Sequence, residues 1–91
     1  MSFAGTRQDV ADVVLEVIRA IEGDGSIVEA STFGQDIIVD KLARRNYASP
    51  IVRLMADRFP DCALTNFGPD DCANAGRVGD IVTAIWNEIK P

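Results

Sequence analysis

The sequence predicts a small all-α protein, a four-helix bundle with a long first loop and a broken second helix. Three observations carry this prediction. Apolar residues recur three and four positions apart near the start, in the middle and at the end of the chain. No stretch alternates with the period of a strand. Gly23, Gly25, Pro60, Gly68 and Pro69 fall between the periodic stretches, where helices stop and turns begin.

The first helix is expected over 7–21. Thr6 reads as its N-cap, and Asp9 three residues later completes a weak capping box. Val10, Val13, Val14, Val17, Ile18 and Ile21 form one apolar stripe, with Asp12, Glu16 and Arg19 on the other side. Gly23 and Gly25 end it. A polar loop over 22–35 follows, long for a compact domain, with Ile27, Val28 and Phe33 as its inward anchors. Residues 36–59 are helical in composition but contain Ser49-Pro50. Proline inside a helix costs about 3 kcal/mol, whereas proline just after a serine cap is well tolerated. The expectation is therefore a short helix near 40–47, a break, and a second helix over 50–59 with Ser49 as its cap. Leu64 and Phe67 should anchor the next loop. A short helical piece is expected over 70–75 and a last helix over 77–89, striped by Val78, Ile81, Val82, Ile85 and Ile89 and edged by Trp86.

Size and charge narrow the function. A chain of 91 residues fits one domain, 1–91, with an ordered core of about 6–89. A domain this short buries about 60% of its unfolded surface. No stretch approaches the roughly 20 apolar residues of a membrane span, and no secretory signal opens the chain, so a cytoplasmic protein without a membrane partner is expected. The net charge of -5 disfavours nucleic acid, which needs a basic surface. Cys62 and Cys72 have neither the Cys-x-x-Cys spacing nor any histidine to make a metal site, and read as reduced, packed thiols. With no histidine, no nucleophile beside a base and no phosphate-binding glycine motif, no enzyme activity is expected.

Two segments carry a likeness to a known family. One is Thr32-Phe33-Gly34-Gln35-Asp36-Ile37-Ile38-Val39-Asp40-Lys41-Leu42. The other is Asp70-Asp71-Cys72-Ala73 with Arg77-Val78-Gly79-Asp80-Ile81-Val82. Together with the order of helices, they make the chain resemble the acyl carrier and peptidyl carrier proteins over about residues 7–89. The first segment is similar to the family run Ser-Phe-x-Glu-Asp-Leu-Gly-x-Asp-Ser-Leu. The second resembles the acidic turn, short helix and Thr-Val-Gly-Asp step that open the family's last helix.

The resemblance implies a phosphopantetheine arm on the serine of Asp-Ser-Leu, but Lys41 stands there, and an ammonium cannot replace a hydroxyl in a phosphodiester. The family's glycine aligns with Ile38. From Lys41 to Phe59 the chain is about four residues longer than the family's second helix. Aligned from Phe59 instead, Arg45 takes the serine position, which is again cationic.

Ser49 is the nearest hydroxyl. It reads either as a displaced attachment site, where a phosphate would meet free helix N–H groups, or as the cap before Pro50. Asp36 and Asp40, four apart, read better as cap and surface charges than as an acid/base pair. Lys41, Arg44, Arg45, Arg53 and Arg58 concentrate five of the nine basic residues in eighteen positions. With Tyr47, they read either as a docking surface or as a solvated face of weak ion pairs. The family's second helix is usually acidic and docks on basic patches of its partners, so the reversed sign would repel those partners.

The expected function is thus a carrier-like, non-catalytic protein of a fatty-acid, polyketide or peptide biosynthetic system, lacking phosphopantetheine and binding a biosynthetic enzyme or synthase domain. The alternatives are a genuine carrier loaded at Ser49 and an unrelated helical interaction or regulatory domain.

Overall fold

The computed structural model describes residues 3–91. It is mostly helical, and no strand occurs among the described residues, as expected for an all-α protein. Helix α1 spans Arg7–Glu22, α2 Lys41–Arg44, α3 Ala48–Arg58, α4 Pro69–Ala73 and α5 Val78–Ile89. A single 3-10 turn, Arg45–Tyr47, joins α2 directly to α3. Counting that joined stretch once gives four helical segments among the described residues.

Helix α1 starts and stops as its sequence prescribes. The Thr6 side chain accepts the Asp9 N–H at 3.2 Å, and the Asp9 carboxylate accepts the Thr6 N–H at 2.7 Å. Gly23 takes a left-handed backbone with φ 67°, which glycine adopts without a Cβ penalty. Val10, Val13, Val14, Val17 and Ile18 are buried, while Ile21 at the end of the stripe is exposed. Their main neighbour is α5, whose Val78, Ile81, Val82 and Ile85 are fully buried. Phe3 closes one end of this core, edge-on to Phe59 at 5.1 Å and to Trp86 at 6.3 Å between ring centroids.

With α2 starting at Lys41, close to the expected start of the short helix near 40–47, the first loop runs from Gly23 to Asp40. Its backbone is pinned to the start of α5. The carbonyls of Ser31 and Glu29 accept the N–H groups of Val78 at 3.1 Å and Gly79 at 2.9 Å. These are first-turn amides, which have no partner inside their own helix. A Cβ on Gly79 would sit 3.3 Å from the Glu29 carbonyl oxygen, so glycine permits the close approach. Arg7 adds a side-chain tie, donating to Glu29 at 2.8 Å and to Thr83 at 3.0 Å. Ile27 is buried as expected, but Val28 points outward. Asp36 lies in the loop, not on a helix, and accepts the Thr32 N–H and hydroxyl, each at 2.9 Å. Those bonds hold its carboxyl below the usual range. Asp40 caps α2, accepting the Ala43 N–H at 2.7 Å.

The expected break at Ser49-Pro50 is absent. Residues 41–58 are helical throughout, and Ser49 is not a cap but lies inside the first turn of α3. Pro50 is the third residue of that helix, where a missing N–H forfeits little, so the chain tightens into a 3-10 turn instead of stopping. The short helix and the last helix fall close to their expected ranges.

Candidate functional site

The six residues read as a docking surface do not form one surface. Arg44 is buried, with 7% of its area exposed. Its guanidinium lies 4.8 Å from the Phe33 ring centroid and donates to three backbone carbonyls: Val39 at 3.1 Å, Cys72 at 3.3 Å and Ala73 at 2.7 Å. Cys72 and Ala73 end α4, where a helix presents unpaired carbonyls and the negative end of its dipole. The cation is therefore the C-terminal cap of a helix nearly thirty residues away, and the docking role expected for Arg44 is withdrawn.

Tyr47 is withdrawn for the same reason. It is 1% exposed, and its hydroxyl donates to Glu22 Oε2 at 2.6 Å. Burial first, and then the Glu22 hydrogen bond, push the phenol well above its ordinary value. The side chain ties the 3-10 turn to the end of α1.

The other four cations are exposed. Arg45 is ion-paired with Asp70, and Arg58 pairs with Glu16 at 2.6 Å. Exposed pairs of this kind add little stability and mask charge. Arg53 donates to the Ser49 hydroxyl at 3.2 Å and, with Val17, Pro50, Leu54 and Asp57, lines a shallow open groove between α1 and α3. Neither Lys41 nor Arg53 pairs with a carboxylate among the described residues.

What the sequence reading missed is apolar. Ile38 is 80% exposed and Leu42 76% exposed, the highest values among the exposed large apolar side chains. In sequence they lie three residues before and one residue after Lys41, the first residue of α2. The available signal was Leu42 lying beside the cation in the run similar to Asp-Ser-Leu.

The family alignment and the nearest hydroxyl give two candidate attachment positions, Lys41 and Ser49. Lys41 has no hydroxyl. Ser49 is exposed, but its surroundings offer a phosphate little: the Ala48 N–H is engaged by the Arg45 carbonyl, and Pro50 has no N–H. The free amides expected there are missing because the helix is continuous.

Both cysteines are free. Cys72 is fully buried, and burial, then Asp71, push its thiol up to about 12. Cys62 is half-buried, with its thiol raised by burial and then by Glu88. Among the described residues no cluster of three metal-ligating side chains occurs, and no helix is long and apolar enough to cross a membrane.

Fold and surface together define an all-α protein whose most exposed aliphatic side chains stand beside a cation at the start of α2. No family model, curated protein or solved structure matches the chain.

Proposed function

We propose that this chain is a non-catalytic, carrier-like protein that docks on an enzyme or synthase domain of a fatty-acid, polyketide or peptide biosynthetic system, without a phosphopantetheine arm. One observation carries the reading: Ile38 and Leu42 stand bare on either side of Lys41 in sequence, at the helix start where a carrier presents its serine. Exposed aliphatic side chains next to a charge are what a partner's pocket can bury. The order of elements supports the carrier likeness, with a long loop before the second helical segment and a short helix before the last.

The docking surface is Ile38, Lys41 and Leu42, with Arg45 at its edge. Leu42→Asp and Ile38→Asp should each weaken binding to a ketosynthase, acyltransferase or adenylation partner by about tenfold or more, an effect of about 1.4 kcal/mol. Far-UV circular dichroism should not change, because neither side chain is packed. Calorimetry with the partner checks this, and unchanged affinity in both variants would remove docking from this surface.

The missing arm is tested separately. Incubation with coenzyme A and a promiscuous phosphopantetheinyl transferase should leave the intact mass unaltered. A mass gain that vanishes in Ser49→Ala would replace this reading with a working carrier.

A further inference from the structure

The segment between α3 and α4 crosses the C-terminal end of α5, and its hydrogen bonds converge on one carboxylate. Thr65 and Asn66 donate their N–H groups to Glu88 Oε2 at 2.6 and 3.1 Å, and Phe67 donates to Oε1 at 2.7 Å. The Thr65 hydroxyl adds a bond of 3.3 Å. Among the described residues, every hydrogen bond donated from residues 63–67 ends on Glu88. Three successive amides around one anion form a nest, here filled by the chain's own side chain.

Glu88 is also the next-to-last residue of α5, where the helix dipole disfavours a carboxylate. Its position is thus costly to the helix and useful to the strap. Beside it lies a groove lined by Phe3, Cys62 and Ile89, with Asp61 and Lys90 as its other charged groups.

We propose that residues 61–67 are a strap latched to α5 by the Glu88 carboxylate, and that neutralising this carboxylate releases the strap and bares Cys62. The proposal is independent of docking at α2. Burial works to raise the Glu88 carboxyl, but the amides of Thr65, Asn66 and Phe67 outweigh it and hold the group below its ordinary 4.5. A depressed value in the fold means that the latch contributes fully above about pH 4.5 and fails as pH falls through the lower folded value.

The test uses the full chain at neutral pH and a maleimide reagent. In Glu88→Ala, Cys62 should label about tenfold faster than in the wild type, a local opening, while buried Cys72 stays protected. Added acetate, which supplies a carboxylate to the empty nest, should slow the labelling again. Unchanged Cys62 labelling in a folded Glu88→Ala variant would overturn the proposal. An acid titration of the wild type followed by NMR decides the matter even if that variant does not fold. The amide resonances of Thr65, Asn66 and Phe67 should move together with one midpoint below 4.5 while the amides of α1 stay fixed. Strap amides that stay still until the whole chain unfolds would also overturn it.

Discussion

Arg44→Ala should destabilise the protein by about 3–4 kcal/mol, one of two large effects expected from residues that the sequence places on the surface. The substitution strips the guanidinium from three carbonyls, two of them at the end of α4, and from the face of Phe33. A buried carbonyl left without a donor costs about 1–3 kcal/mol. The loss is a large fraction of the 5–15 kcal/mol that holds a domain together. In a chain of this length each kcal/mol moves the melting temperature by roughly 4–8 °C, so a fall of at least 12 °C is expected. Arg44→Lys should recover only part of it, because an ammonium cannot span the three acceptors in the plane of a fork or stack flat on a ring. Urea unfolding followed by circular dichroism measures this. A loss under about 1 kcal/mol would mean that α4 is held by its apolar contacts alone. Reversing Arg44 to Glu would therefore be a poor test of docking, since it would disturb the fold before any partner were added.

Tyr47 gives the second effect, and two substitutions separate its parts. Tyr47→Ala should cost about 3–5 kcal/mol, the usual range for emptying a buried aromatic site. Tyr47→Phe keeps the ring and removes only the bond to Glu22, for a loss of about 1 kcal/mol, since Glu22 is only half-buried and water can replace the hydroxyl. The alkaline limb offers a further check. The phenol is raised in the fold, so its contribution is intact below pH 10 and is lost as pH rises past that value. Tyr47 is the sole tyrosine of the chain, so phenolate absorbance reports it directly. The phenolate should appear only together with unfolding. Its appearance in the folded protein near pH 10, with no change in circular dichroism, would contradict the buried position.

The helix ends show how much local sequence can decide. Thr6 and Asp9 close a capping box, and Gly23 stops α1, using atoms within a few residues of one another. The stripes of α1 and α5 are equally local, since a period of 3.6 fixes which side chains share a face before any partner arrives. Ser49-Pro50 is the counter-example. Pro50 signalled an interruption, but not its form: a full stop with Ser49 as cap and a tightened turn with Ser49 inside the helix suit the same residues. The single face expected for the cations from Lys41 to Arg58 was lost with it. Each residue of a 3-10 turn advances about 120°, against about 100° in an α-helix, so three of them rotate the following face by roughly 60°. A surface extrapolated through that turn cannot stay in register.

By itself the sequence determined that the described chain is all-α, and where α1 and α5 begin and end. These follow from capping, periodicity and spacing, which act over a few residues. Only the tertiary structure decided that Arg44 and Tyr47 face inward, that Ile38 and Leu42 stay bare, and that Glu88 gathers the amides of residues 65–67. A cation buries itself only where carbonyls distant in sequence replace its water, and a carboxylate gathers amides only where another segment turns them toward it. Both depend on how helices meet, which is set by packing across the whole chain.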